Sequence, residues 1–298
     1  LEGWPEGLKS EDLQPYYQKR NELSVLDGCL LWGNRVVVPP QGRGRVTEEL
    51  HATHPGIVKM KSLARSYLWW PAIDKNLERR VNTCLECQSV RSFQTNQHPV
   101  HPWEFPSKPW FRLHIDYAGP FERRMFLVVK DAYSKWMEVI PTSGCSARVT
   151  INKLRGLFSI HGLPQVLVSD NAPAFMGHEF QDFLSKNGIR HVTGAPYHPA
   201  TNGLAENAVK TFKRAMEKTG GDLELRLNRF LFDNRVTPHV TTCIPPCELL
   251  MGRRIRTRFD LLKPSLADRV VKKQEAQARG HDKIPKVEVE QGDHVYYK

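Results

Sequence analysis

The sequence predicts a mixed α/β protein in which one sheet combines antiparallel and parallel strands. Three strand-like runs follow one another between residues 111 and 140, and further runs near residues 166 and 189 alternate with helical stretches. Upstream of this sheet, two histidines and two cysteines with zinc-ligand spacing flank a helical run. These observations predict a small metal-stabilised module followed by a larger domain.

Length, composition and charge favour an intracellular protein with a polyanionic partner. The 298 residues suggest about two domains, and a hydrophobic content of 40% allows a real core. A formal net charge of +11 favours a polyanion, although charge alone does not separate DNA from RNA or an acidic protein. No apolar run approaches the ~18 residues of a membrane span, and no signal-peptide core is present. Six cysteines are too few for a disulfide scaffold, which favours a reducing compartment.

Residues 1–45 form an N-terminal extension with a predicted hairpin. Residues 10–26 predict a polar helix. The apolar runs at 29–32 and 35–38 are joined by a Gly-Asn pair, which predicts a tight turn between two strands. Because Cys29 lies inside the first of these runs, we expect it to be a core residue and not a metal ligand.

Residues 46–90 contain the four residues with zinc-ligand spacing. His51 and His54 are three positions apart, and so are Cys84 and Cys87. Two imidazoles and two thiolates form a tetrahedral set that suits structural Zn2+ without an open position. The alternative, solvated histidines beside a reduced dithiol, is the weaker interpretation because all four residues flank one helical run. We therefore predict one structural zinc ion.

Residues 91–109 are polar and rich in proline, which is typical of an extended linker, and residues 110–262 carry the main sheet. Asp116 lies on its first predicted strand, and Asp170 follows the short apolar run at 166–168. A later helical segment divides into two arcs. The polar arc contains Glu206, Lys210 and Lys213, and the apolar arc contains Val209, Phe212 and Met216.

The three acidic residues predict a metal site. Carboxylates packed within a few ångströms repel one another, so such a group persists around cations, and hard oxygen ligands suit Mg2+ or Mn2+. Two such ions can activate an attacking oxygen and stabilise a leaving oxygen at a phosphate. Composition alone would favour solvated surface charges, because any chain of this length contains many acidic residues.

The segments that surround these acids favour a metal site over solvated surface charges. The segments HIDYAGP, SDNAPAF and YHPATNGLAENAVKTFKRAMEK, with thirty-five residues between the last two acids, resemble the D,D-35-E core of retroviral and gypsy-type LTR-retrotransposon integrases. The resemblance covers nearly the whole chain. Two positions depart from the family pattern: Ala172 stands where Gly is usual, and Asn207 stands where many relatives have Arg. Ala172 could strain a turn that prefers Gly.

The resemblance implies a ribonuclease-H-like catalytic core in which the strands bearing Asp116 and Asp170 lie side by side. It implies that Asp116, Asp170 and Glu206 bind two Mg2+ or Mn2+ ions. Lys210 and Lys213 match lysines that contact nucleic-acid ends. The His-His-Cys-Cys module of integrases matches the predicted zinc site.

Beyond the triad, a basic run closes the core. Its arginines form a plausible phosphate-contact strip, although such a run is usually a solvated face; they are Arg253, Arg254, Arg256 and Arg258. Residues 263–298 predict a charged helical connector, and the alternating stretch at their end resembles the first strand of the small C-terminal β-barrel of integrases. Only the first strand of that barrel is present, and one strand cannot bury a core.

The implied function is that of a DNA integrase, a metal-dependent polynucleotidyl transferase. It would insert element DNA into target DNA by 3′-end processing and strand transfer, as a homo-multimer without a membrane. The implied location is the nucleus, after a stage in virus-like particles and cytoplasm. Two alternatives stay open: a domesticated host protein that binds DNA or protein without catalysis, and a ribonuclease-H-type nuclease acting on hybrids. The zinc module and the acid spacing disfavour the second.

Overall fold

The computed structural model describes residues 12–90, 103–193 and 202–281. No helix in these ranges is long and apolar enough to cross a membrane. The elements before residue 91 are, in chain order, α1 (Gln14–Tyr17), a 3-10 helix (Arg20–Glu22), β1 (Leu23–Leu26), β2 (Cys29–Trp32), β3 (Arg35–Val37), α2 (Pro40–His51), α3 (Ile57–Tyr67), β4 (Leu68–Trp69), α4 (Ile73–Asn82) and α5 (Leu85–Ser89).

The predicted main domain begins with a strand meander and continues with alternating helices and strands. Its elements are β5 (Arg112–Phe121), β6 (Arg124–Asp131), β7 (Met137–Thr142), α6 (Ala147–His161), β8 (Val166–Ser169), α7 (Pro173–Met176), α8 (His178–Lys186), β9 (Arg190–Thr193), α9 (Gly203–Lys218), α10 (Leu223–Val236), α11 (Pro246–Met251), a 3-10 helix (Arg258–Leu262) and α12 (Leu266–His281).

A four-stranded sheet of order β1-β2-β3-β4 joins the N-terminal extension to the zinc module. The predicted hairpin between β2 and β3 is confirmed. The predicted helix over residues 10–26 is wrong in its last part, because β1 forms a second hairpin with β2. Asp27 and Gly28 connect these strands with φ of 47° and 79°, the left-handed conformation that a tight two-residue turn requires. β4 was not predicted, and it pairs in parallel with β3.

The main sheet has the order β7-β6-β5-β8-β9. Its first three strands form an antiparallel meander, while β8 is parallel to β5 and β9 is parallel to β8. This mixed sheet with intervening helices is the predicted ribonuclease-H-like fold. The predicted helix over Ala147–His161 is confirmed at both ends, beginning after Ser146, whose side chain accepts a hydrogen bond from the Val149 amide.

Different helices cover the two faces of the main sheet. On one face, Leu113 and Ile115 pack against α6, α7 and α8. On the other face, Ala118 belongs to a cluster with the apolar sides of α9 and α10. Because side chains alternate along a strand, Asp116 lies on the second face beside Ala118. The strand therefore carries a catalytic candidate on the face that α9 covers.

The zinc module is packed directly on the main domain. Val236 from α10 and Phe259 from the following segment belong to the hydrophobic cluster of the zinc module. The ring of Phe259 lies 5.7 Å from that of Tyr67. At the edge of this contact, Arg258 donates two hydrogen bonds to the Glu49 carboxylate at 3.0 and 3.1 Å. The two predicted domains thus share one apolar cluster and an ion pair.

The C-terminal connector is helical, as predicted, and α12 extends to His281. The strand predicted at residues 287–298 and the barrel it would begin lie outside the described residues. So do most of the linker and the turn-rich loop before α9. The described end of the linker packs on the core, where the Trp103 ring lies 5.8 Å from that of His114.

Candidate active site and zinc centre

Asp116 and Asp170 come from neighbouring parallel strands. β5 and β8 pair in the register Arg112↔Val166, Leu113↔Leu167 and His114↔Val168. Continuing this register by two residues sets Asp170 beside Asp116. Matching positions on parallel strands face the same side of a sheet, so both carboxylates lie at one edge of the same cleft. β8 ends just before Asp170, which therefore begins the following turn.

Asp116 is partly buried and electrostatically coupled to the other two acids. Its Oδ1 accepts a hydrogen bond of 2.7 Å from the Tyr117 amide. Burial raises the pKa of Asp116 to about 6, and the negative charges of Asp170 and Glu206 add to this shift. The Tyr117 amide and the Lys213 ammonium group act in the opposite direction on this pKa. The structure thus brings all three predicted triad members and Lys213 within electrostatic reach of one carboxyl group.

Asp170 is exposed and shapes its own turn. Its Oδ1 accepts a hydrogen bond of 3.1 Å from the Ala172 amide. Ala172 has φ −61° and ψ 144°, an ordinary extended conformation that needs no glycine. The strain expected at this departure from the family pattern is therefore absent.

A buried hydrogen-bonded chain supports the end of β8. The Ser169 hydroxyl donates to the Asp170 carbonyl at 2.8 Å and lies 2.8 Å from Nε2 of His191. The other ring nitrogen of His191 lies 2.7 Å from the Gln181 amide nitrogen, which also donates to the Phe175 carbonyl. Ser169 is fully buried. This chain ties the turn that carries Asp170 to β9 and α8.

Glu206 stands in the first turn of α9, on the arc that the sequence predicted. The opposite arc is buried, with Phe212 and Met216 at 0% and 1% exposure. Lys210 and Lys213 are exposed on the polar side. Because α9 packs on the face that carries Asp116, its polar arc borders the cleft between the two strands. An acid with two lysines therefore forms one wall of this cleft.

The three carboxylates fit divalent cations with oxygen ligands. Mutual repulsion contributes to the raised pKa of Asp116, and a bound cation would relieve that repulsion. Asp170 is exposed and Glu206 is partly exposed, so both could reach ions and a phosphate from solvent. The site can therefore hold Mg2+ or Mn2+ beside a phosphodiester.

The predicted zinc ligands gather around one point. Their four ligand atoms lie within 4.8 Å of one another, at the end of α2 and around the start of α5. His54 Nδ1 lies 3.2 Å from Cys84 Sγ and 3.7 Å from Cys87 Sγ, and His51 Nε2 lies 3.7 Å from Cys87 Sγ. Tetrahedral zinc, with Zn–S near 2.3 Å and Zn–N near 2.0 Å, separates such atoms by about 3.5 Å. The ligand set therefore fits Zn2+.

The electrostatics of this set also suit a metal. Burial lowers the pKa of His51 to about 4 and lowers that of His54, which keeps both imidazoles in the neutral form that binds metal. Burial raises the pKa of the Cys87 thiol to about 11, so a metal ion would have to displace its proton. The Lys218 ammonium group lowers the pKa of these residues as well. Since Lys218 ends α9, this helix reaches from the acidic cleft to the zinc ligands.

The acidic cleft is wider than the zinc centre. In the described ranges, the zinc ligands are the one set of three or more His, Cys, Asp or Glu ligand atoms gathered this tightly. Like charges on the three acids oppose such close packing. A site for two bridging ions also needs more room than one tetrahedral ion.

The predicted arginine strip divides into residues that form ion pairs and residues that do not. Arg254 pairs with Glu248 at 3.0 Å, and Arg258 pairs with Glu49. In the part of the chain that the structure describes, Arg253 and Arg256 are exposed and form no ion pair. Their role in DNA contact stays a prediction.

Sequence reasoning missed the buried polar residues that bond to the strand and the turn carrying Asp116 and Asp170. Asn202 is 3% exposed and bonds to β5 at His114 and Ile115. Ser169 and His191 hold the Asp170 turn. A single histidine, serine or asparagine gives no spacing pattern, and Asn202 stands in a stretch full of turn formers, so no sequence signal separated it from its neighbours.

The comparisons with known proteins identify both domains. Residues 38–92 match the family described as integrase zinc binding domain, and residues 108–199 match the integrase core domain family. The uncharacterized protein K02A2.6 of Caenorhabditis elegans is 40% identical over 275 residues, which are 91% of this chain and 22% of that protein. The Pro-Pol polyprotein of simian foamy virus type 3 (strain LK3) is 29% identical over 191 residues, or 62% of this chain and 17% of the polyprotein. The chain spans about a fifth of the length of these relatives.

Among solved structures, the chain is similar to the catalytic core domain of HTLV-2 integrase, which was solved with magnesium in a trimeric form. The TM-score is 0.42 at 21% identity, over 48% of this chain and 98% of that one. The matched domains follow each other in the order zinc module, then core, and the relatives match across both. The chain belongs to the retroviral-type integrase superfamily.

Proposed function

We propose that this chain is a retrotransposon integrase of the gypsy type, a polynucleotidyl transferase that inserts element DNA into target DNA. The observation that carries the proposal is that Asp116 on β5 and Asp170 directly after its parallel neighbour β8 follow one register, and that the charges of Asp170 and Glu206 both raise the pKa of Asp116. The zinc ligand set and the integrase relatives support the same assignment.

In this proposal, Asp116, Asp170 and Glu206 hold two Mg2+ or Mn2+ ions. When bound, these ions supply activation of the attacking oxygen and stabilisation of the leaving oxygen. The triad would hold the ions in place, and Lys210 and Lys213, on the polar side of the same helix, would contribute positive charge beside the scissile phosphate. Water attacks first where the 3′ ends are trimmed. In strand transfer, the 3′ oxygen of the element bonds to a target phosphorus, while the bond from that phosphorus to the target 3′ oxygen breaks.

The active unit is a homo-multimer that acts on nuclear DNA. Each chain carries one triad, and insertion of an element joins two DNA ends to the target, so at least two chains must act together. The net charge of +11 supports binding to DNA ends and target DNA. Light scattering with and without end-bearing duplexes measures the assembly. The proposed location is the nucleus, because the target DNA lies there.

The test is a strand-transfer assay with a duplex that carries the terminal sequence of the element, in Mg2+ and in Mn2+. Because phosphodiester exchange is reversible, a branched duplex that mimics the joined product provides a second substrate. The proposal expects joined product from the first duplex and resolved product from the second. DNA binding without either product would support the domesticated, non-catalytic alternative. Preferential cleavage of an RNA–DNA hybrid would support the ribonuclease-H-type alternative.

A further inference from the structure

Asn202 connects the start of the Glu206 helix to the strand that carries Asp116. It occupies the N-cap position of α9, yet its side chain makes no capping hydrogen bond. Instead, Nδ2 donates to the Ile115 carbonyl at 2.9 Å, and Oδ1 lies 3.3 Å from Nδ1 of His114. At 3% exposure, the Asn202 side chain is excluded from solvent.

These bonds lie next to the end of the pairing between β5 and β8. The pairing of β5 with β8 ends at His114↔Val168, and β8 itself ends one residue later, directly before Asp170. Ile115 is the next residue along β5, so Asn202 bonds to the strand just beyond the last pair. Ile115 also directly precedes Asp116. Asn202 therefore fastens α9 to β5 between the paired ladder and the catalytic candidate.

The proton arrangement at this contact follows from the partners. Since Nδ2 of Asn202 donates to Ile115, its Oδ1 is the acceptor toward His114. Because Oδ1 can only accept, this contact of 3.3 Å places the proton of the His114 ring on Nδ1. Both polar groups of the asparagine amide are thereby used.

Directional bonds matter here because the rest of the contact is apolar. α9 packs on the sheet through side chains such as Val209 and Phe212, and apolar packing does not by itself fix a rotation or a slide along the helix axis. Hydrogen bonds at a buried amide do fix both. Glu206 lies four residues after Asn202, about one helical turn or 6 Å along the axis. A shift at Asn202 would therefore move the Glu206 carboxylate by a similar distance.

We propose that Asn202 is a positioning residue of the integrase site, which sets the place of Glu206 relative to Asp116 through its bonds to His114 and Ile115. The inference rests on the proposed function, because it concerns the metal ions that these acids would hold. Its consequence is that loss of the Asn202 bonds weakens divalent-ion binding while DNA binding stays the same.

The test compares Asn202→Ala with Asn207→Ala, an exposed asparagine on the same helix, and with the wild type. Residues that orient metal ligands typically affect metal affinity by about 10- to 100-fold, so Asn202→Ala should raise the Mn2+ concentration needed for half-maximal strand transfer by about tenfold or more. Saturating Mn2+ should restore most of the rate. Asn207→Ala should match the wild type in both respects.

A second readout does not depend on catalysis. The Mn2+-induced rise in melting temperature, measured without DNA, should need a higher Mn2+ concentration in Asn202→Ala. His114→Ala removes one of the two Asn202 bonds, so it should shift the Mn2+ requirement in the same direction and by no more than Asn202→Ala. The double variant should shift no further than Asn202→Ala, because the His114 bond is already lost in that variant. If Asn202→Ala fails to fold, Asn202→Ser provides the same titration with a smaller polar side chain.

Three outcomes would overturn the inference. An unchanged metal requirement in a folded Asn202→Ala variant would show that the bonds do not place Glu206. A raised Kd for DNA with an unchanged metal requirement would instead make Asn202 a direct DNA contact. Additive effects of the two alanine variants would separate His114 from Asn202. If the wild type itself shows neither strand transfer nor metal-induced stabilisation, the proposed function fails, which is distinct from failure at Asn202 alone.

Discussion

Asp116 lies on β5 and Asp170 directly follows its parallel neighbour β8, so that continuing the register of the two strands by two residues sets the two acids side by side. The fold therefore forces two negative charges together, and burial of Asp116 makes their repulsion stronger. A protein gains nothing for stability from such an arrangement. Bound divalent cations would relieve this repulsion, so we expect them to stabilise the core.

The first prediction concerns Asp116 and pH. Its pKa in the folded protein, about 6, lies above the ordinary value of 3.8. The folded state therefore binds the Asp116 proton more tightly than the unfolded state does. The contribution of this carboxyl group to the free energy of unfolding is fully present below about pH 4, and it is lost as the pH rises through about 6. In metal-free buffer, Asp116→Asn should raise the free energy of unfolding by about 1–2 kcal/mol near pH 7.5, a value that allows for solvent screening.

Chemical denaturation at several pH values measures this effect. The gain from Asp116→Asn should vanish near pH 4, where the wild-type carboxyl group is already protonated. Asp268→Asn, at an exposed position of α12, is the matched control and should show no such pH dependence. A gain that is equal at both ends of the pH range would mean that charge at Asp116 is not its source.

The second prediction concerns Glu206. Glu206→Gln keeps the side-chain shape and one oxygen, but it removes a charge that the second metal ion needs. We expect end trimming and strand transfer to be lost, with the fold and most DNA affinity retained. Repulsion on Asp116 should also fall, so the melting temperature in metal-free buffer should hold or rise. Added Mg2+ or Mn2+ should raise the melting temperature of the wild type more than that of the variant.

Glu217→Gln serves as the control, since Glu217 is exposed near the other end of the same helix. It should retain the activity and the metal response of the wild type. Wild-type strand transfer by Glu206→Gln would remove Glu206 from the catalytic set and would show that the assignment of the triad is wrong.

The sequence pointed to the candidate catalytic residues better than to the residues that bond to their supporting elements. Apolar runs and a helical arc placed Asp116, Asp170 and Glu206 on two strands and a helix, and the resemblance of the surrounding segments to integrases selected them as the triad. Asn202 is different, since its partners His114 and Ile115 are nearly ninety residues away. Such a contact depends on how strand and helix pack, and no local pattern encodes it.

The same limit applies to the first part of the chain. The spacing of the zinc ligands predicted their site, but β4 was missed because two residues are too short for a strand pattern. Packing of Phe259 into the zinc module was also missed, because an aromatic residue within a basic run resembles a surface segment. In the folded chain this residue links the end of the core to the module.

The third prediction separates DNA contact from structure among the arginines. Arg253 and Arg256 are exposed, whereas Arg258 binds Glu49 of the zinc module. The double variant Arg253→Ala/Arg256→Ala should weaken DNA binding for all sequences and reduce the slope of log K against log salt by about 1 per lost phosphate contact. Arg258→Ala should leave the salt slope unchanged and lower stability by at most about 1 kcal/mol, since its ion pair is exposed.

Fluorescence anisotropy with a labelled duplex at several salt concentrations gives these slopes. An unchanged slope in the double variant would make Arg253 and Arg256 a solvated face. A reduced slope in Arg258→Ala would show that its pairing with Glu49 yields to DNA.

The last prediction concerns the zinc centre. Cys84→Ser removes one thiolate from a ligand set that closes a small helical module, so zinc should be lost and the helical circular-dichroism signal of residues 46–90 should fall. Because Phe259 and Val236 of the core are buried in the same cluster, loss of the module also exposes core side chains worth about 1.5–3 kcal/mol each when fully buried. We therefore expect the main domain to remain folded but to melt several degrees lower.

Cys243→Ser, at an exposed cysteine, is the control and should keep both the bound zinc and the melting temperature of the wild type. Bound zinc is measured by atomic absorption, and core unfolding is followed by near-ultraviolet circular dichroism. Full helicity of Cys84→Ser after chelation would show that the module folds without metal, and an unchanged core melting temperature would show that the shared cluster does not couple the two domains.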